Sequence, residues 1–426
     1  MKKLSMLALL LSVTALAGCG EKPVDNPLES LVPGEIPTGG EEVSMEELES
    51  ILNAEAPEQA ILRNGYAVSV KIPSFEVSSK NRITSNYDYE TGSVLEAPKT
   101  TNNELSFKLN EGSLELAVTG LTNASTFAQL QASAKANAKV SFSLTDTDIS
   151  LNNESMLMEY YLKENKLYGN ASRNLLDLMG TSSNEPNQIY CVLPEGIEEM
   201  IQEETGLTFP LLSQANIDYI EGLIEEQMNS QAPEQPAPEV SAMVDLIDDF
   251  AKVVYENLFS VNKYGSEYLL TLNLTKENIN SNIEKLIDAA KEQGLLTYIV
   301  AGELNEEQYT QFKTEIMNVV SQYTSGINHI KYSVVFDATM VKSMAFDIDA
   351  SLTIDDSDSW VEYDYEKDAY VDINESSTNT TVIKGGFTVN FTYSDEVSVS
   401  YPDFSNYVEQ ELFGGTEIQP NPEPGM

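Results

Sequence analysis

The chain has 426 residues, of which 24 are basic and 68 acidic, giving a formal net charge of −44. That balance excludes nucleic acid as a partner, because such binding needs Lys and Arg to displace counterions from phosphate. It also opposes contact between the body of the protein and anionic lipid headgroups.

In chain order, the first element is a leader. Lys2 and Lys3 precede a run from Leu4 to Leu16 that is apolar apart from Ser5, Ser12 and Thr14. The run is too short to span a bilayer and ends in small residues, so residues 1–18 read as a secretory signal peptide. The ending Leu16-Ala17-Gly18-Cys19 resembles the bacterial lipobox. That resemblance implies that the Cys19 thiol is acylated and that Cys19 becomes the first mature residue. The expectation is a lipoprotein held on the outer face of the bacterial cytoplasmic membrane through its acyl chain. Only Cys191 then remains, so no intramolecular disulfide can form. In the apolar run Ile189-Tyr190-Cys191-Val192-Leu193 it reads as a small buried hydrophobe.

Residues 19–43 are rich in Pro, Gly and Glu, with Pro23, Pro27, Pro33, Pro37 and Gly39-Gly40. Such a composition predicts a disordered tether, about 25 Å long as a flexible coil. Residues 44–413 read as one elongated α+β domain, with an internal boundary near 231–239 as the alternative. A short helix is predicted from Ser44 to Ala54, with Met45, Leu48, Ile51 and Leu52 on one side. From Ala60 to Tyr168 the period becomes two. Tyr66, Val68, Val70 and Ile72 alternate with polar residues, as do Leu114, Leu116 and Val118. These are antiparallel strands with one wet face. Lys163-Glu164-Asn165-Lys166 reads as a hairpin tip.

The middle of the chain is helical. Ile217, Ile220, Ile224 and Met228 mark one helix, and the Pro-rich stretch from Gln231 to Pro238 breaks it. Ser241 reads as the N-cap of a second helix with the stripe Met243, Leu246, Ile247, Phe250, Val253, Val254 and Leu258. A strand from Tyr268 to Leu274 is followed by a helix capped by Thr275. Asn305 and Gln308 form a capping box before Phe312, Ile316, Val319, Val320 and Tyr323. The C-terminal third returns to strands, Ile330 to Phe336, Met344 to Ile354 and Phe387 to Tyr393. Residues 414–426 read as a disordered tail.

The most unusual internal feature lies between Ala128 and Leu144. Ala132, Ala134, Ala136 and Ala138 stand two apart, flanked by Leu130, Val140, Phe142 and Leu144 in the same phase. As a strand, this ladder has large residues at its ends and a small-residue stretch between them. Alanine favours helix over strand, but the period of two argues for strand. The space above four alanines must be filled, by a helix or by an apolar ligand, since an empty cavity destabilises. The four alanines are therefore candidate ligand-lining residues.

Chemistry is sparse elsewhere. His329 is the single histidine, and no nucleophile stands near it in sequence. One histidine and one remaining thiol do not make a zinc site. There is no phosphate loop or nucleotide fingerprint, so no cofactor, metal or catalytic residue is assigned. Asp347, Asp349, Asp355, Asp356 and Asp358 fail the EF-hand test, with Leu352 and Asp358 where Gly and Glu are required. The first pair reads as the polar face of a strand and the others, with Asp364, Glu366 and Asp368, as a solvated turn.

The sequence of lipobox, tether, long strands, the Tyr160 to Tyr168 hairpin, helices and the hairpin from Lys331 to Ile354 resembles the LolA/LppX-type lipoproteins. The resemblance covers about Ala60 to Val408 by arrangement and carries over no ligand residue. It implies a large curved antiparallel β-sheet, a half-barrel, with helices packed on its concave face and acyl chains held between them. The leading expectation is thus a non-enzymatic membrane-anchored protein that binds a lipid or another apolar ligand. The alternatives are a surface scaffold or protein-interaction lipoprotein without a pocket, and a transporter-associated substrate-binding lipoprotein. No protein partner is identified by the sequence.

Overall fold

The structure, a computed structural model, describes residues 28, 30–52, 62–88, 91–145, 150–181, 184–230, 252–255, 257–299, 302, 304–364 and 369–411. The predicted signal peptide, the boundary near 231–239, most of the helix from Ser241 and the tail 414–426 lie outside the described residues.

The first strands are β1 (Glu41–Glu42), β2 (Gly65–Asp88), β3 (Ser93–Thr119), β4 (Gln131–Leu144), β5 (Ser150–Lys163), β6 (Lys166–Ala171) and β7 (Gln188–Val192). The second set comprises β8 (Phe259–Tyr264), β9 (Glu267–Thr275), β10 (Ile327–Asp337), β11 (Val341–Asp364), β12 (Ala369–Tyr393) and β13 (Val408–Glu409). The helices are α1 (Met45–Leu52), α2 (Arg173–Leu178), α3 (Ile197–Thr205), α4 (Gln214–Ser230), α5 (Ile279–Glu292), α6 (Leu295–Ile299) and α7 (Glu306–Thr324).

The fold is α+β, a large open sheet accompanied by helices. Among the described residues thirteen strands join in the order β1-β8-β9-β10-β11-β12-β2-β3-β4-β5-β6-β7-β13. All neighbours are antiparallel except the short β13–β7 pair. The two halves of the chain meet at the centre, where β12 pairs with β2 from Tyr393↔Tyr66 to Glu375↔Ser85.

Directly paired residues in antiparallel strands share a face. One row across the sheet reads Val261, Leu270, Val334, Met344, Val389, Val70, Leu114, Ala136, Met158. It is apolar throughout. The next row reads Leu269, Val335, Ser343, Asn390, Ser69, Glu115, Lys135, Glu159. In this row the opposite face is apolar only at the β9–β10 end. The sheet therefore has one greasy face along its whole width and one mostly wet face.

On the greasy face, α1 packs Leu48 with Val43, Tyr255, Val261, Tyr268, Val334 and Phe336. Helices α5 to α7 hold one another through Ala290, Leu296 and Tyr309, and Lys313 on α7 bridges Glu284 and Asp288 on α5. The wet face is covered at two places. Near β5 to β7, Phe404 stacks on Tyr168 at 3.7 Å between ring centres, beside buried Tyr161 and Tyr407. Near β9 to β11, Leu28 and Leu31 are buried with Leu269, Val335 and Ala345.

That last contact corrects the tether reading for Leu28 and residues 30–43, while residues 19–27 lie outside the described residues. Leu28 and Leu31 are only 3% and 6% exposed, and residues 41–42 pair with β8 as β1. Composition averaged over Pro, Gly and Glu conceals two leucines that find an apolar patch more than two hundred residues away.

A second correction concerns β11. The sequence ends this strand at Ile354, but pairing with β12 continues through Asp355↔Thr378 and Asp358↔Glu375 to Asp364↔Ala369. The apolar period disappears because Asp355 to Ser359 are exposed on both faces, before Trp360 pairs with the fully buried Ile373. Thr378 donates to Asp355 at 2.7 Å, and Asp355, Asp356 and Asp358 lie on a strand, not in a turn. Strand β10 stops opposite Ala350 and β4 opposite Leu105, so β11, β12, β2 and β3 project beyond the body as a four-stranded arm. A third correction is small. Asn278, not Thr275, is the N-cap of α5, and its side chain accepts the Thr275 N–H. The Asn305–Gln308 capping box of α7 forms with both of its hydrogen bonds.

Candidate functional site

Strand β4 places Ala132, Ala134, Ala136 and Ala138 on the greasy face. On one side they pair with Val118, Leu116, Leu114 and Gly112 of β3. On the other they pair with Leu162, Tyr160, Met158 and Met156 of β5. Small floor residues between large neighbours make a trough. Leu116 is 39% exposed and Tyr160 45%, and the four alanines are half-buried, so the described residues leave it open. No described helix occupies this space, and residues 231–251 lie outside the described residues.

One part of the trough is a groove of about 400 Å³ whose lining includes Ala132, Ala134, Leu116, Tyr160, Tyr66 and Tyr393. Tyr66 and Tyr393 stand edge to face, 5.3 Å apart, and close its β12 side. Burial pushes the Tyr66 hydroxyl above its ordinary range, so it presents a neutral phenol at any physiological pH. Ala138 instead lines a second hollow of about 610 Å³ with Lys71, Glu111, Asn137, Lys139 and Ser155. Ile72, Pro73, Met156 and Leu157 also line it, so it too is mostly apolar. Ala136, between the two, faces Leu114 and Met158 across the strands.

Of the four alanines expected to line a site, Ala132 and Ala134 border this groove, while Tyr66 and Tyr393 at its side were not expected from the sequence. Their pairing joins residues 327 positions apart, and no local pattern announces it.

Helix α4 starts at the same end of the sheet. Leu212, just before it, donates its N–H to Leu121 beyond the end of β3. Asn216 is buried and pins the helix base. It accepts from the Thr208 N–H and donates to the carbonyls of Thr208 and Leu211. Ile220, Leu223 and Ile224 follow at helical spacing and are exposed, Ile224 at 52%. A helix with exposed apolar residues therefore begins near the end of β3.

The other sequence candidates fall elsewhere. His329 Nε2 contacts Asp347 Oδ2 on the wet face, near the segment that carries Leu28 and Leu31. The Cys191 thiol points to the Leu167 carbonyl, and burial raises its pKa, which disfavours the reactive thiolate. Asp349 meets Lys384, while Asp356 and Asp358 accept the N–H groups of Ser357 and Ser359. Among the described residues no group of three His, Cys, Asp or Glu side chains could hold a metal ion. Cys19 lies outside the described residues. Among those described, no helix is long and apolar enough to cross a membrane.

No family model and no curated protein matches the chain. Solved structures with a partial likeness are β-barrel proteins. The secretin-domain barrel of InvG from the Salmonella SPI-1 injectisome is 7% identical, covering 84% of this chain and 68% of its own, with a TM-score of 0.13. The outer membrane protease OmpT of Escherichia coli is 6% identical over 77% of this chain and 97% of its own, with a TM-score of 0.10. A FadL homologue from Pseudomonas aeruginosa is 9% identical over 82% and 94%, with a TM-score of 0.10. Likeness at that level carries no argument.

Proposed function

We propose that this protein is an extracytoplasmic lipoprotein, anchored by an acyl chain on Cys19, that binds a lipid or another apolar ligand between its sheet and helices. The observation that carries the reading is the open trough with an alanine floor. Its groove of about 400 Å³ falls within the size range of small-molecule sites, roughly 300–1,000 Å³.

Each part of the trough has a physical role. The alanines give depth without side chains that must be moved aside. Leu116, Met158 and Tyr160 offer apolar walls, so each ligand methylene that leaves water contributes about 0.8 kcal/mol. Nothing charged stands among the groove residues Ala132, Ala134, Leu116, Tyr160, Tyr66 and Tyr393, which suits an acyl chain and not an ion. We assign no catalytic residue.

An exposed apolar surface also suits a protein partner, which keeps the scaffold reading as the second one. The transporter reading rests on parallel strands alternating with helices, and this sheet is antiparallel through its body. To test the leading reading, the body purified without detergent is extracted and its contents are weighed by mass spectrometry. A stoichiometric apolar molecule supports it. An empty protein that also fails to take up an apolar fluorescent probe overturns it and leaves the scaffold.

A further inference from the structure

The chain from Leu28 to Leu48 wraps one edge of the sheet. Leu28 and Leu31 fill the apolar patch of Leu269, Val335 and Ala345 on the wet face. Lys331 donates to the Gly34 carbonyl at 2.7 Å, and the Tyr264 hydroxyl reaches the Pro37 carbonyl at 3.4 Å. Gly34 has φ +79° and lies so close to Asp347 that a Cβ would sit 2.8 Å from its carboxylate. Residues 41–42 then pair with β8 at the sheet edge, and Val43 and Leu48 enter the cluster on the greasy face. The segment is a clasp, fixed on both faces and along the edge.

Its position along the strands matters as much as its existence. Ala345, under the clasp, lies in register with Thr388 and Lys71. Tyr66 and Val68 of the groove are a few residues from Lys71, toward the same end of β2. The tip of the arm, at Asp88 and Ser93, lies at the other end. From Lys71 to Asp88 is about 55 Å of strand at ~3.3 Å per residue.

We infer that the clasp sets the orientation of the molecule on its membrane: the groove end is held close to the lipid surface and the four-stranded arm points away. This rests on the proposed acylation of Cys19. Only nine peptide units separate Cys19 from Leu28, so the first fixed point of the body lies within about 30 Å of the anchor even when the chain is fully stretched. A free tether of residues 19–43 would allow more than twice that reach. The acidic body would drift outward on such a tether, and the clasp prevents it. A lipid ligand then has a short path between bilayer and groove, and the arm presents its polar strands to whatever lies outside.

The acylated full-length protein in phosphatidylcholine vesicles carrying an acceptor-labelled lipid provides the test. A donor dye is attached at Glu396→Cys, at the groove end, or at Thr91→Cys, at the arm tip, each in a Cys191→Ala background. The expected result is several-fold stronger quenching at 396 than at 91, and Leu28→Asp/Leu31→Asp should remove most of the difference. Equal or reversed quenching, with the acyl mass on Cys19 present, overturns the orientation alone. Absence of that mass overturns the anchoring reading and the orientation with it. The clasp has its own readout. Leu31→Ala, a change mild enough to fold, should lower the thermal midpoint and expose residues 30–43 to protease, whereas an unchanged midpoint would show that the segment is not held.

Discussion

Replacing Ala134 with Phe separates a packed ladder from an open one. Ala134 lies between Leu116 and Tyr160, both exposed, on the floor of the groove. Were another element seated on it, a ring inserted there would overpack the core and cost about 1–3 kcal/mol. In the open trough the ring lies along the floor against Tyr160, where an aromatic pair contributes about 0.5–1.5 kcal/mol. The stability change should therefore be near zero or slightly favourable, read as the urea midpoint at constant slope. Binding should respond in the opposite sense. A ring that displaces two ligand methylenes from the trough removes about 1.6 kcal/mol at ~0.8 per methylene, a loss of affinity of about fifteenfold. Titration with an apolar fluorescent probe measures it. A variant destabilised by 2 kcal/mol with unchanged probe affinity would refute the open trough.

Asn216→Ala should cost about 2–3 kcal/mol in the α4 region, because it strands the Thr208 and Leu211 carbonyls and the Thr208 N–H; faster amide exchange in 208–224 is the readout. Asn305→Ala should lower stability by about 1 kcal/mol through loss of the α7 capping box, measured in urea. Asp288 is held below the usual carboxylate range by hydrogen bonds from Lys313 and then Tyr309. Its contribution is complete above the ordinary Asp pKa of about 4 and is lost as pH falls through the depressed value. Acid should therefore loosen α5 from α7, and Lys313→Ala should move that transition to higher pH when followed by the Asp288 carboxyl carbon in NMR. Burial, with Asp288 second, pushes Tyr309 up to about 12, so the phenol's share is present below pH 10 and lost as pH rises toward 12. A tyrosinate absorbance titration checks this.

Much of the architecture could be read from residue spacing. The strict period of two at Met344, Phe346, Ile348, Ala350, Leu352 and Ile354 marks a strand with one greasy face, and that face is where it lies. The positive φ of Glu164 and Asn165 agrees with the hairpin tip expected there. The ladder at Ala132 to Ala138 is a strand, although alanine favours helix, because flanking Leu130, Val140 and Phe142 need the same apolar face. The arm was not legible beyond Ile354. From Asp355 to Ser359 only Ser and Asp occur, on both faces, so the amphipathic signal stops before Trp360 and its buried partner Ile373 resume an apolar contact. The clasp was hidden for a different reason. Leu28 and Leu31 gain their partners only once β9, β10 and β11 have assembled. The same non-locality hides Tyr393 beside Tyr66 at the groove.

The most direct test of an apolar site on the alanine floor is photolabelling with a fatty acid that carries a diazirine along its chain, followed by peptide mapping. Adducts should concentrate on peptides of β3, β4 and β5, should include Leu116, Met158 or Tyr160, and should be lost in Ala134→Phe. Adducts spread evenly over the surface, or unaffected by that substitution, would contradict the site.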